Sequence, residues 1–180
     1  ALPFAGFLVN ALFGRRLQKS VVTGIALLTT AVSFLLVLNV ALHHATFASP
    51  HVERVATWIA AGPLHVDFSF YLDQLALVML LVVTGVGFLI HIYSAGYMAH
   101  EEGYWRFFAY LNLFMFFMLM LVMAESYLLM FVGWEGVGLC SYLLVSFWFE
   151  RDAAAVAGKK AFVTNRVGDV GFLLAMFLIF

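Results

Sequence analysis

Long runs of apolar residues separated by short polar stretches dominate this chain. Residues 21–42 carry no charge and are rich in Leu and Val. A bilayer crossing needs roughly 20 such residues, so this second segment is the clearest spanning helix. A third segment, 72–93, is closed by Asp73 at one end and interrupted by His91 near the other. The fourth, 107–124, has Arg106 and Glu125 as bookends, and the fifth, 127–149, is long enough to span although it contains Glu135. The sixth, 156–180, carries Thr164, Asn165, Arg166 and Asp169 before it turns purely apolar. The first, 1–14, is too short to cross. We therefore expect a truncated first helix and a fragment of a longer chain, cut inside its sixth spanning segment.

Between the second and third segments lies the one long soluble stretch, residues 43–71. Here the period changes to two: Val66, Phe68 and Phe70 alternate with His65, Asp67 and Ser69, the signature of a half-buried strand. The apolar run 55–61 and the Gly62, Pro63 turn precede it, which predicts a small β-hairpin. The fold class expected is thus all-α, a polytopic transmembrane helical bundle, with that hairpin on its outer face.

Composition agrees with the pattern. The chain is 65% hydrophobic and 11% charged, with a mean hydropathy of +1.03, far from soluble domains. A formal net charge of −1 offers no basic surface for nucleic acid, so the expected partner is membrane lipid. Cys140 is the single cysteine, which excludes internal disulfides and any iron–sulfur cluster or four-cysteine zinc site built from this chain alone. The first residues do not read as a secretory signal. Lys and Arg mark the cytoplasmic loops. Arg15, Arg16 and Lys19 fall in the first loop, Arg106 in the third, and Arg151, Lys159 and Lys160 in the fifth. The second loop has Arg54 only, and the fourth has none. The N-terminus is therefore expected outside.

Candidate chemistry centres on Glu135. At 1.5 Å per residue it lies about 12 Å from the outer end of its helix, near mid-membrane. A charge there costs several kcal/mol unless the group is paired or protonated, and either state suits a proton carrier. The plainer alternative is a carboxylate that fixes helix packing through one buried hydrogen bond. Glycines 133, 136 and 138 surround Glu135 and allow close helix approach. Tyr142, at i+7, shares its face and is a candidate for the same water chain. Arg166 and Asp169, spaced i, i+3, can pair, either as a second charged centre or as a local ion pair near the cytoplasmic interface. Asn165 shares the Asp169 face. Lys160 is a candidate for the same network or for snorkelling to headgroups, the reading favoured for Lys159. His91 reads as a core histidine that satisfies a carbonyl. A haem would need a second ligand, and His43 and His44 belong to the opposite end of the bundle, about 25 Å away at 1.5 Å per residue. His43, His44 and His51 lack fixed metal-binding geometry, and no nucleotide-binding fingerprint is present. No metal or cofactor site is expected in this chain.

The string LMFVGWEGVGLCSYLLVSFW, residues 129–148, resembles the antiporter-like L subunit family of bacterial NADH:quinone oxidoreductase, respiratory complex I. The likeness continues in KAFVTNRVGDVGF (160–172), IYSAGYMAHEEGYWRFFAYLNLF (92–114) and FYLDQLALVML (70–80). Departures are small: Ala124, Glu125 and Ser126 stand where relatives often have an Asp-Asn pair, and 149–153 is individual. The resemblance implies an antiporter-like fold, its last three segments here opening a five-helix unit that is repeated later in inverted orientation. It implies a proton-translocating subunit of the bacterial inner membrane with a periplasmic N-terminus, working beside other complex I subunits. Glu135 would pair with a lysine on the seventh helix, beyond Phe180, and Arg166 and Asp169 would join the same charged network. It also implies that NADH, FMN, iron–sulfur clusters and quinone are handled by other subunits. The alternative is a subunit of a multi-subunit cation/proton antiporter, in which the GWE motif is shared in outline.

Overall fold

In the computed structural model, residues 1–44, 50–62 and 64–179 are described. Pro63 of the expected turn, residues 45–49 of the expected soluble stretch and Phe180 lie outside the described residues. The elements in chain order are α1 (Leu2–Phe13), a single 3₁₀ turn (Gly14–Arg16), α2 (Lys19–His44), β1 (His51–Ala61), β2 (Leu64–Leu72), α3 (Gln74–Tyr97), α4 (Tyr104–Met123), α5 (Tyr127–Val145) and α6 (Asp152–Ile179). The protein is a helical membrane bundle. Five of the helices, α2 to α6, are long and apolar enough to cross a bilayer.

Helix ends follow capping chemistry rather than the limits of the apolar runs. α3 starts where the Asp73 carboxylate accepts the Ala76 N–H at 2.7 Å, and α5 starts where the Ser126 hydroxyl accepts the Leu129 N–H at 3.2 Å. α3 runs on to Tyr97, four residues past the apolar stretch that ends at 93. α4 begins at Tyr104 rather than 107, because Arg106 lies along aromatic surface, its guanidinium 5.1 Å from the Phe147 ring centre and 5.0 Å from that of Phe149. α5 stops at Val145, short of 149, where the Ser146 hydroxyl donates back to the Tyr142 carbonyl at 2.6 Å. α6 begins at Asp152, four residues before 156, with that carboxylate in the first turn where the helix dipole favours it.

α4 is the central helix, touching α1, α2, α3 and α5, while α6 packs against α5. Toward the Arg15 end, Val22, Ala26, Met98, Tyr104, Phe108 and Phe147 form one buried cluster, clipped by the Lys19 ammonium donating to the Ala99 carbonyl at 2.7 Å. α3 buries Ala76, Leu77 and Leu80 in its first half and mainly small and polar residues toward Tyr97. Leu75, Val78, Val82, Val86 and Leu89 form its exposed stripe, whereas Thr84, Gly87, His91 and Ser94 are buried. In lipid there is little gain in hiding Leu, so small and polar residues can take helix contacts, as they do toward the Tyr97 end.

The hairpin pairs β1 with β2 antiparallel, His51 opposite Leu72 and Ala61 opposite Leu64, with irregularities between Arg54 and Ala56 and between Thr57 and Ile59. Gly62 takes φ +60 at the turn, a conformation that favours glycine. Phe68 meets Phe70 and Trp58 edge-on on one face. Ser69, on the polar side of the alternation, is nonetheless buried: its hydroxyl donates to the Glu125 carboxylate, and its carbonyl accepts the Glu125 N–H at 3.3 Å. The hairpin is thereby tied to the short turn between α4 and α5.

α5 lies so close to α4 that a Cβ on Gly133 would sit 2.8 Å from the Leu121 backbone nitrogen, whereas one on Gly138 would meet nothing within 4 Å. Gly133→Ala is therefore expected to destabilise the full-length subunit by about 1–3 kcal/mol, and Gly138→Ala to be near neutral. Thermal melts of both variants in detergent check the contrast.

Candidate functional site

The helical period distributes the residues of α5 between two neighbours. Gly133 and Gly136 face Leu121 and Phe117 of α4, so the close helix approach expected of them is made with α4, on a different face from Glu135. Phe131, Trp134 and Glu135 turn toward α6 instead. On α6, Phe162, Arg166, Asp169 and Phe172 recur at helical spacing and face back.

These two stripes bring three charged groups together. The Arg166 guanidinium makes an ion pair with Glu135 through Nη1, and the same nitrogen lies 3.4 Å from Asp169 Oδ2. The Trp134 indole N–H donates to the other oxygen, Asp169 Oδ1, at 2.8 Å. Asp169 is the most enclosed of the three, with 6% of its side chain exposed, against 23% for Glu135 and 37% for Arg166. The guanidinium lies over the Phe162 ring, 4.5 Å from its centre, and its Nε is buried without a partner among the described residues. With both carboxylates ionised, the cluster holds two negative charges and one positive. One proton or one further cation balances it.

The other candidates take separate places. Tyr142 reaches the cluster through rings, its own packing against Phe162 at 5.3 Å between centres, and it makes no hydrogen bond to Glu135 among the described residues. It also lines a cleft of about 180 Å³ with Arg106, Tyr110 and Ser146. Lys160 is exposed and has no ion pair among the described residues; its carbonyl accepts the Thr164 hydroxyl at 2.8 Å. Asn165 is exposed and stays out of the cluster. Both nitrogens of His91 are occupied, Nδ1 by the Gly87 carbonyl at 2.7 Å and Nε2 by the Asn112 side chain at 3.2 Å. No three His, Cys, Asp or Glu side chains gather at metal-binding distance among the described residues.

Trp134 was missed by the sequence reading. Its ring is stacked on Phe172 at 6.1 Å and 3°, and Phe131, one turn earlier, is stacked on the same ring at 5.7 Å and 9°. This ledge aims the indole N–H at Asp169. The available signal was the Phe131, Trp134 spacing on the Glu135 face, which in an aromatic-rich chain reads equally as lipid-facing surface.

Residues 58–108 match the family described as NADH-Ubiquinone oxidoreductase (complex I), chain 5 N-terminus, and residues 124–180 match NADH:quinone oxidoreductase/Mrp antiporter, TM. NADH-quinone oxidoreductase subunit L of Mycobacterium tuberculosis (strain ATCC 25618 / H37Rv) is 58% identical over 128 residues, 71% of this chain and 20% of that protein. The Escherichia coli (strain K12) subunit L is 45% identical across 99% of this chain and 29% of its own length. That of Rickettsia bellii (strain RML369-C) is 44% identical across 99% and 28%. The chain belongs to the subunit L family of NADH-quinone oxidoreductases. It spans roughly a quarter of the length of these relatives. Among solved structures, the Mrp complex from Dietzia sp. DQ12-45-1b shares its fold, with a TM-score of 0.77 and 23% identity, over 97% of this chain and 18% of that one.

Trp134→Phe keeps the stacked ledge of this subunit L family member but removes the donor to Asp169. Hydrogen bonds to charged groups contribute about 1.5–3 kcal/mol, so the variant is expected to lose stability of that order. Denaturation of the full-length subunit, compared with the wild type, measures it.

Proposed function

We propose that this chain is part of a proton-translocating membrane subunit of complex I, and that Glu135, Arg166 and Asp169 are its proton-handling centre. The observation that carries the reading is the guanidinium shared between two carboxylates within the membrane-spanning part of the bundle. While Arg166 holds Glu135, the carboxylate is kept ionised. When Arg166 shifts its weight to Asp169, Glu135 faces a low-dielectric surrounding alone and takes up a proton. At an effective dielectric of about 20, two unit charges 4 Å apart interact by about 4 kcal/mol, enough to change a carboxylate's occupancy by orders of magnitude.

In this reading Trp134 keeps one Asp169 oxygen occupied, so that Arg166 meets only the other. Tyr142 and Lys160 lie on the way to the cytoplasmic side and serve the path rather than the switch. The lysine implied on the seventh helix would be a second cation for Glu135. The subunit works beside other membrane subunits, which together with a peripheral arm carry NADH, FMN, iron–sulfur and quinone chemistry. It sits in the bacterial inner membrane with a periplasmic N-terminus, and the proposed spans are the six apolar segments, each overlapping one observed helix; 21–42 lies inside α2, and the others differ from their helices at the ends. The identities of 44–58% to subunit L relatives support this reading over an Mrp-type cation/proton antiporter, for which the 23% likeness speaks to fold alone.

Glu135→Gln keeps the side-chain shape and removes the titratable oxygen. In the complete complex it is expected to lower proton uptake into inverted vesicles several-fold at matched NADH:quinone turnover. Full pumping by the variant would overturn the assignment.

A further inference from the structure

A second polar centre lies inside α1–α4, away from the Glu135 cluster. His91 and Asn112 are fully buried, as are Asn10, Thr30 and Thr84. The His91 ring is held between two oxygens: Nδ1 meets the Gly87 carbonyl at 2.7 Å, and Nε2 meets Asn112 Oδ1 at 3.2 Å. A carbonyl only accepts, so Nδ1 carries a hydrogen. In a neutral ring Nε2 then bears a lone pair, which an amide oxygen cannot satisfy. The arrangement is matched when Nε2 also carries a proton, or when the Asn112 amide turns over and donates its Nδ2–H to Nε2. Amide oxygen and nitrogen exchange places by that one rotation.

The far end of the amide decides what each state costs. Asn112 Nδ2 is buried with no partner among the described residues. It points at the α1–α2 contact, where a Cβ on Gly6 would lie 2.9 Å from it and 2.7 Å from Thr29 Oγ1. The Thr29 hydroxyl proton is committed to its own helix, to Ile25 O at 3.0 Å or Ala26 O at 3.1 Å, so Oγ1 turns lone pairs to this space. An outward N–H suits it, and an outward carbonyl oxygen does not. A neutral His91 therefore satisfies Nε2 at the expense of the Thr29 side. A protonated His91 satisfies Nε2 and turns the amide N–H toward the Thr29 lone pairs, though without a hydrogen bond to them among the described residues, and it carries a buried charge. Each state is compromised by one polar mismatch, the condition for a two-state element.

We propose that His91 Nε2 is a second proton-binding site of this protein, and that the Asn112 amide turns over when it fills. The ligand is a proton: it adds to the Nε2 lone pair, breaks the Asn112 Nδ2–H hydrogen bond, and leaves by the reverse step. An Nε2–H···Oδ1 hydrogen bond replaces the one broken, and no other covalent bond forms or breaks. The titratable groups of the neighbouring elements are few. α4 carries Tyr104, Arg106 and Tyr110; the Tyr104 ring lies 4.9 Å from Phe108, itself 6.2 Å from the His91 ring. α2 carries Lys19, 5.5 Å from the Tyr104 ring centre, and His43 and His44 at its other end; α3 itself carries Tyr93 and Tyr97, and α1 has no titratable side chain. Tyr104 OH lies 2.5 Å from Thr23 Oγ1, on the far side of the Phe108 ring from His91. No carboxylate is bonded to His91 among the described residues, so the site does not depend on Glu135.

The test uses the complete complex with nitrogen-15-labelled histidine and asparagine, read by solid-state NMR across pH, with His91→Gln used to assign the ring signals. The expected result is a His91 ring that passes from the Nδ1–H neutral form to the doubly protonated form as pH falls, with the Asn112 side-chain signal changing in step. In Thr29→Val, which removes the lone pairs that favour the outward N–H and leaves the His91 contacts intact, the two changes are expected to separate or the doubly protonated signal to be lost. A His91 ring that stays in one form across the stable pH range, or an Asn112 amide that stays fixed while the ring titrates, would overturn the proposal. The readout needs no pumping activity, so it stands or falls apart from the assignment of Glu135.

Discussion

A guanidinium with two carboxylate claimants is the interaction on which the α5–α6 pair depends. Inside a bilayer none of the three charges of Glu135, Arg166 and Asp169 is tolerable alone, and removing one partner of such a group leaves the others exposed to the full desolvation cost. The pairing therefore dictates which faces of α5 and α6 meet. It also explains the aromatic surroundings: Phe162 lies beneath the guanidinium, and Trp134 and Phe131 stack on Phe172. These rings exclude lipid while presenting one indole N–H to Asp169.

The remainder of the fold is arranged so that this face stays available. α5 uses its opposite, glycine-bearing side to press against α4, and α4 in turn gathers α1, α2 and α3 around it. The hairpin closes one end of the bundle by binding the α4–α5 turn through Ser69 and Glu125. A carboxylate at the surface thus anchors a strand, whereas a carboxylate within the bundle holds a cation. The same residue chemistry ties a strand in one place and pairs with a guanidinium in the other, and solvation separates the two settings.

Much of the architecture was legible in the chain because lipid imposes a simple rule of long apolar runs, and because Val66, Phe68 and Phe70 betray a strand by their period. Helix ends were less legible. Asp73 and Ser126 act as caps, and Arg106 continues a helix over aromatic rings, effects that hydropathy does not register. Within the candidate site, the i, i+3 spacing showed Arg166 beside Asp169, but the contact with Glu135 crosses between helices and leaves no trace in spacing. The role of Trp134 and the pairing of His91 with Asn112 were hidden for the same reason. A polar residue inside an apolar run announces that it needs a partner without saying which helix supplies it.

The central claim is that Glu135 exchanges an ionic partner for a proton. Isotope-edited infrared difference spectroscopy of the complete complex during NADH:quinone turnover tests it most directly, because a protonated carboxyl has a carbonyl stretch that a carboxylate lacks. The account predicts a protonated-carboxyl band that appears with turnover in the wild type and is missing in Glu135→Gln. A turnover spectrum without such a band, or one in which the band survives that substitution unchanged, would contradict it.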